Sequence, residues 1–326
     1  MEQITIAIDL GGTNVRIAAV NLTGDILHRI SFPTEASLGR ERVTDNILSN
    51  VRRVLRRFSA EEFEVIGGGF GIPGAIELDR GIVAQSPNLL GWEDYDIQSR
   101  LQGGLDMPIF IENDANAFTL GEGWLGAGRG VKDFCCLTLG TGVGGGIMLN
   151  GDIWHGAEGK AGEIGHMAIE AHGPRCQCGS RGCLEALTSA NAIRRMAIEA
   201  IKGGEKTDLV ERCDGEIEAI TSKTVCESAM DGDEFSRGIF QRMGTYLGVG
   251  LANLVNLLNV ELLVVGGQVS EAWDLFIDPA RWELEKRALG SMGERVRVEK
   301  ARCGDDAGIL GAAYLVKRER EGRKRG

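Results

Sequence analysis

The chain opens on a near-continuous apolar run, Ile4-Thr5-Ile6-Ala7-Ile8, the pattern of a strand buried on both faces. It stops at Asp9-Leu10-Gly11-Gly12-Thr13-Asn14. A second strand is predicted from Val15 to Asn21, then a turn at Thr23-Gly24-Asp25 and a third strand to about Phe32. Val43, Ile47, Val51, Val54 and Leu55 fall at helical spacing within residues 39–58. A strand over 63–70, a short helix over 96–101 and a strand over 108–112 complete an alternation that marks α/β architecture.

The opening pattern then recurs. Phe134-Cys135-Cys136-Leu137-Thr138-Leu139 is strand-like and runs into Gly140-Thr141-Gly142-Val143-Gly144-Gly145-Gly146. Ile147-Met148-Leu149-Asn150-Gly151-Asp152-Ile153 after it parallels the stretch from Ala18 to Ile26, so a duplicated α/β lobe is expected. The second half is helix-rich. Helical periodicity covers 189–202, 233–258, 270–289 and 306–320, with strands predicted from Glu261 to Val265 and from Val296 to Val298. The last helix carries Ala307, Gly308, Gly311, Ala312 and Ala313, as if packed closely on a neighbour. The charged run Lys317 to Arg325 reads as a solvated, fraying end.

Composition narrows the class. A chain of 326 residues suggests two domains or one large α/β unit. With 43% hydrophobic and 25% charged residues it is an ordinary globular chain, not a disordered one. The net charge of −11 argues against a nucleic-acid partner. Met1-Glu2-Gln3 leads straight into a strand with no signal-peptide pattern, and no apolar run approaches the ~18–20 residues of a membrane span. The cytoplasm is the expected compartment, with no membrane partner. Glycine contributes 48 of 326 residues, roughly twice the usual ~7%. That excess points to tight turns and backbone-lined ligand sites.

Asp9-Leu10-Gly11-Gly12-Thr13-Asn14 lies between two strands, where glycines let backbone N–H groups approach an anion. Asp9, at the strand's end, is a candidate Mg²⁺ ligand, directly or through water. The motif is neither a P-loop nor G-x-G-x-x-G, because a strand follows it and no Gly-Lys-Ser/Thr does. The glycine-rich turn from Gly140 to Gly146 sacrifices chain entropy and side-chain packing, which implies a close backbone partner. Two such hairpins on two lobes suit a polyphosphate. Ile109-Phe110-Ile111-Glu112-Asn113-Asp114 is a buried strand ending on an Asn-Asp pair that fits either a helix N-cap or a catalytic position at a strand's carboxyl end.

Cys176, Cys178 and Cys183 place three thiols in one short loop, a zinc knuckle that needs one more ligand, His166 or His172. Three buried thiols without metal is the plain alternative. A closed site of this kind would be structural and would pin an irregular loop. Glu163, His166 and Glu185 flank the knuckle, and carboxylates beside an imidazole suit the hydroxyls of a polyol.

Together these motifs resemble the ROK family of sugar kinases and related bacterial repressors, from Ile4 to about Leu315. Asp9 to Asn14 resembles its first phosphate motif and Leu139 to Gly146 its second. Val264-Val265-Gly266-Gly267-Gln268-Val269-Ser270 resembles the adenosine motif, with Gln268 where a third glycine is usual. Glu163-Ile164-Gly165-His166 with Cys176, Cys178 and Cys183 resembles the family's zinc signature and implies His166, not His172, as fourth ligand.

The resemblance implies an α/β, actin-like (ribonuclease H-like) fold, two lobes around a cleft with the zinc knuckle in the larger. It implies a small lobe of residues 1–114 completed by a helix over 304–326, and a large lobe of 115–303 with dimerisation helices. It assigns Asp114 as the catalytic base, and Gly74, Asn113, Glu163, His166 and Glu185 as sugar ligands. ATP would lie against Asp9, Gly11, Gly12, Thr13, Asn14, Gly140, Thr141, Gly142, Gly144, Gly145, Gly266 and Gly267. Structural Zn²⁺ and ATP-borne Mg²⁺ are the implied cofactors, sugar and ATP the partners, and a homodimer or dimer of dimers the assembly.

The expected activity is phosphorylation of a hexose at its 6-hydroxyl, glucose first. His155 to Glu163 and Gly71 to Gly74 look more like the glucokinases than like the N-acetylglucosamine or N-acetylmannosamine kinases. A repressor of this family carries an N-terminal helix-turn-helix, for which a phosphate strand starting at Ile4 leaves no room. A non-catalytic sugar-binding module conflicts with two intact phosphate hairpins and Asp114.

Overall fold

In the structure, a computed structural model, residues 1–86, 89 and 91–323 are described. The first sheet holds β1 (Glu2–Leu10), β2 (Asn14–Asn21), β3 (Ile26–Pro33), β4 (Phe63–Ile72) and β7 (Ile109–Asn113), in the order β3-β2-β1-β4-β7. β1 pairs antiparallel with β2 and parallel with β4, and β4 pairs parallel with β7. A small hairpin of β5 (Ala75–Glu77) and β6 (Ile82–Gln85) follows β4, where no strands were expected.

The second sheet holds β8 (Phe134–Leu139), β9 (Val143–Leu149), β10 (Asp152–Ile153), β11 (Leu262–Gly266) and β12 (Arg297–Lys300), in the order β10-β9-β8-β11-β12. An antiparallel three-strand meander extended by two parallel strands occurs in both sheets, the topology the sequence repeat implied. Its second copy turns at Asn150 and Gly151, both at positive φ, which suits a tight hairpin.

Two compact units divide the chain. The first comprises Met1–Lys132, Gly146–Gly162 and the chain from Ala301; the second comprises Asp133–Gly145 and Glu163–Lys300. The division passes through β9, and α3 (Asp114–Leu125), which follows the expected break after Asp114, is grouped with the first unit.

In the first unit, Ile4, Ile6, Ile8, Ile17 and Phe70 meet Val43, Ile47 and Val51 of α1 (Arg40–Leu55) and Ile97 and Leu101 of α2 (Ile97–Leu105). The opposite face, Ala7, Ala18 and Val20, is covered by Ile309, Leu310, Ala312 and Ala313 of α11 (Ala307–Arg323). The small residues of α11 are there for space. A Cβ on Gly311 would collide with the Ala117 carbonyl of α3, and one on Gly69 with the Ala312 carbonyl.

The charged run on α11 does not fray as expected. Lys317 donates to the Leu22 carbonyl at 3.0 Å, Arg318 pairs with Asp152 at 2.7 Å, and the helix continues to Arg323. Lys324 and Arg325 lie outside the described residues.

In the second unit α4 (Leu184–Thr188), α5 (Ala190–Lys202), α6 (Leu209–Arg212) and α7 (Ser222–Met230) lead to the long α8 (Glu234–Leu258). α8 packs on α9 (Trp273–Arg287), with Gly244 and Gly248 against the Phe276 and Ala280 carbonyls. α10 (Met292–Arg295) precedes β12. Among the described residues no helix is long and apolar enough to cross a membrane.

Candidate active site

In the first unit the strands' carboxyl ends assemble one group of the expected residues. Parallel register aligns Asp9 of β1 with Gly71 of β4, and Gly71 with Glu112 of β7. Gly74 and the Asn113-Asp114 pair follow directly. Asp9 is mostly buried, which pushes its carboxyl up from the ordinary range, opposed in part by the Arg16 guanidinium at 3.8 Å. Gly308 in the first turn of α11 lies against that carboxylate, where a Cβ would fall 3.1 Å from its Cγ. The first hairpin is closed by Gly11 N–H donating to the Asn14 carbonyl at 2.9 Å. Thr34 braces it from beside β3, its hydroxyl donating to the Gly11 carbonyl at 2.6 Å and its N–H to the Thr13 carbonyl at 2.8 Å.

The N-cap reading of Asn113 is correct as structure. Its Oδ1 accepts from Ala115 N–H at 2.9 Å and Asn116 N–H at 3.1 Å, satisfying two free donors at the head of α3. Its Nδ2 donates to the Gly74 carbonyl at 2.9 Å, which ties the loop after β4 to the same corner. Asp114 heads α3 half-buried, its Oδ1 accepting from Ala115 N–H at 2.9 Å. A carboxylate in a helix's first turn is favoured by the free N–H groups there. The cap thus fixes the backbone on which Asp114 stands.

The second unit assembles the other group. Gly140 N–H donates to the Gly142 carbonyl at 2.9 Å, and the Gly140 carbonyl accepts from Ala190 N–H at 2.8 Å. Asn191 Nδ2 donates to the Thr141 carbonyl at 3.0 Å. Glu185 on α4 reaches the same turn, its Oε2 accepting from Val143 N–H at 3.0 Å. A Cβ on Gly142 would collide with that oxygen, and one on Gly145 would fall 2.6 Å from Ile164 Cδ1. Gly266 sits beside Thr138 in register, and Gly267, at positive φ, backs onto the Leu139 carbonyl.

Four candidate metal ligands converge. His166, Cys176, Cys178 and Cys183 offer atoms all within 4.8 Å of one another. Cys176 Sγ lies 3.7 Å from His166 Nδ1, and Cys178 Sγ lies 3.7 Å from Cys183 Sγ. Tetrahedral Zn–S bonds of ~2.3 Å place sulfurs ~3.8 Å apart, so the donor set fits zinc in identity and spacing. His172 is not in the cluster. Burial pushes the Cys176 thiol up to about 12 and raises Cys183, whereas backbone hydrogen bonding from Ser180 lowers Cys178. A metal would have to displace the protons. His166 turns Nδ1 to the cluster and keeps Nε2 3.9 Å from Glu163. Cys176 Sγ is 3.6 Å from Glu185 Oε1, so the knuckle and the glycine turn share that carboxylate.

A family model for the ROK family matches residues 5–319 of the chain. The chain belongs to the ROK family. It is 37% identical over 322 residues to a glucokinase of Halalkalibacterium halodurans, covering 98% of this chain and 97% of that protein. A ROK family glucokinase from Streptomyces griseus, solved with glucose and AMPPNP, superposes with a TM-score of 0.83 at 32% identity, covering 97% of this chain and 99% of that one. A ROK family transcriptional regulator, a homologue of the E. coli MLC protein, superposes with a TM-score of 0.86 at 26% identity, covering 97% of this chain and 78% of that one. The two sheets of like order are the actin-like arrangement that the family resemblance implied.

Sequence reasoning missed two polar residues at the first corner, Glu112 and His155. Glu112 was visible as a lone charge closing an apolar strand, but its partner lies far along the chain.

Proposed function

We propose that this protein is an ATP-dependent hexose kinase that phosphorylates the 6-hydroxyl, with glucose as the preferred acceptor. The observation that carries the reading is the corner at β7 and α3, where a capped, half-buried Asp114 stands beside Asn113 and Gly74. Asp114 would accept the proton of the attacking hydroxyl, and Asn113 and Gly74 would orient the sugar. Glu163, His166 and Glu185 would bind its other hydroxyls. N–H groups of both glycine hairpins would face the phosphates, and Gly266 and Gly267 the adenosine. Asp9 would hold Mg²⁺, which neutralises phosphate charge when bound. His166, Cys176, Cys178 and Cys183 would hold a structural Zn²⁺ that pins the loop and orients the His166 ring.

Glucose as first choice draws support from the glucokinase relatives. The likeness to a transcriptional regulator supports a second reading, a sugar-responsive regulator. One assay separates them: ATP-dependent phosphorylation over glucose, mannose, fructose, N-acetylglucosamine and N-acetylmannosamine. The highest kcat/KM is expected for glucose. A preferred N-acetylated sugar would replace the substrate, and no turnover on any of them would favour the regulator. The reading carries a homodimer or dimer of dimers with it, which sedimentation of the purified chain tests.

A further inference from the structure

The corner that carries Asp114 holds a second acid that the proposed chemistry leaves unused. The Glu112 side chain is only 3% exposed. A carboxylate that deep persists only when its oxygens are bonded. Glu112 Oε1 accepts from Asn113 N–H at 2.9 Å and Asn116 Nδ2 at 3.0 Å. Its Oε2 accepts from His155 Nε2 at 2.8 Å. A carboxylate can only accept, so His155 Nε2 is the donor of this bond.

His155 stands at the start of the loop over 154–162, which leads directly into Glu163. The loop folds on itself through Ala161 N–H donating to the His155 carbonyl at 3.0 Å. Its Gly159 lies so close to β5 that a Cβ would fall 2.7 Å from the Ile76 carbonyl. β5 in turn follows Gly74, the residue that Asn113 holds. One corner therefore pins two segments, the loop after β4 through Asn113 and the 154–162 loop through Glu112 and His155. Both segments end at residues given to the sugar, Gly74 and Glu163.

We propose that Glu112 and His155 are positioning residues for the acceptor sugar, a carboxylate–imidazole strut that sets the loop leading into Glu163. This rests on the hexose-kinase reading for its substrate but not for its geometry. Glu112 has a second duty, because its Oε1 also steadies Asn113 and Asn116 in the first turn of α3. Loss of His155 therefore acts on sugar binding, whereas loss of the Glu112 charge acts on sugar binding and turnover together.

The test uses the full chain with His155→Ala, His155→Gln and Glu112→Gln. Gln can present an amide nitrogen near the position of the imidazole Nε2. Two readouts are needed, steady-state kinetics and tryptic cleavage after Lys160, whose side chain is 52% exposed within the loop. His155→Ala should raise the KM for glucose about tenfold, the scale of one charge-assisted hydrogen bond, with the KM for ATP within about twofold. It should also speed cleavage after Lys160, and His155→Gln should restore both. Glu112→Gln should lower kcat as well.

Unchanged cleavage in His155→Ala would overturn the strut. Faster cleavage with an unchanged glucose KM would overturn its link to the acceptor, as would parallel rises for ATP and glucose. Should His155→Ala fail to fold, Glu112→Gln, which keeps the carboxylate's shape, carries the same comparison. If the wild-type chain phosphorylates no hexose, the kinase reading fails, and the Lys160 cleavage decides the strut by itself.

Discussion

The two glycine hairpins share a topology and differ in what holds them. The turn between β1 and β2 is braced by its own meander, through Thr34 just past β3. The turn between β8 and β9 is braced from outside, by Ala190 and Asn191 at the head of α5 and by Glu185 on α4. What crowds the glycines also differs: at Gly11 a Cβ would fall 3.0 Å from the Asn14 carbonyl of the same hairpin. None of the glycines in either turn adopts a positive φ, so conformational freedom is not what selects them. In the second turn the reason is room, because Gly142 lies against Glu185 and Gly145 against Ile164. At Gly140 a Cβ would meet nothing within 4 Å. The first hairpin is thus a self-contained phosphate-binding candidate, whereas the second is wired to a carboxylate that also touches Cys176 of the Cys/His cluster.

The largest expected effect fixes the baseline, since it leaves both hairpins intact. Asp114→Asn keeps the size of the side chain and removes the proton acceptor, so kcat should fall by ~10²–10⁴-fold. Glucose binding, read by calorimetry, should persist. Near-normal turnover would remove Asp114 from the chemistry.

Next comes the wiring itself. Gly142→Ala should push the Glu185 carboxylate off Val143 and raise the KM for both ATP and glucose about tenfold, the cost of one misplaced charged hydrogen bond. Gly11→Ala, in the self-braced turn, should raise the KM for ATP alone. Equal behaviour of the two variants would erase the distinction between the hairpins.

Metal sharpens the same contrast. His166→Ala should lose stoichiometric zinc and weaken glucose binding, while His172→Ala keeps both. Elemental analysis with calorimetry reads this, and zinc retained in His166→Ala but lost in His172→Ala would overturn the ligand set.

The smallest effect is a stability control in the second unit. Asp233 caps α8, and although burial works to raise its carboxyl, hydrogen bonds from Ser236 (backbone N–H at 2.9 Å) and Thr207 hold it below the usual range. Its contribution is therefore present above the unfolded pKa of ~3.9 and is lost as pH falls through the lower folded value. Asp233→Ala should cost about 1 kcal/mol at neutral pH, with the gap to wild type closing in acid. A gap that widens in acid would show the sign to be wrong. The hexose and ATP KM values should not move.

Much of this molecule is local and was legible as such. Apolar runs and turn residues placed β1 to β4, β7, β8 and β11 within a few residues, because a strand's burial pattern is written in its own side chains. The Cys/His cluster was legible for the same reason, since three of its four residues fall within one short loop. The pairing of Asn113 with the head of α3 is an i-to-i+3 interaction that spacing alone can suggest. The β5–β6 hairpin was missed because its strands are too short to carry a period.

Tertiary structure decided the rest. It brought to the thiols the ring of His166, the one the family resemblance had implied. It named the neighbours that crowd Gly142 and Gly145, Glu185 and Ile164. It extended the charged end of α11 by giving Arg318 and Lys317 partners far back in the chain. It paired Glu112 with His155 and Glu185 with Val143, links between residues more than forty positions apart. The physical reason is the same in every case. A periodic pattern records which face of an element avoids water, but a buried polar group is satisfied by whichever partner the packed elements bring within about 3 Å, and sequence spacing carries no record of that partner.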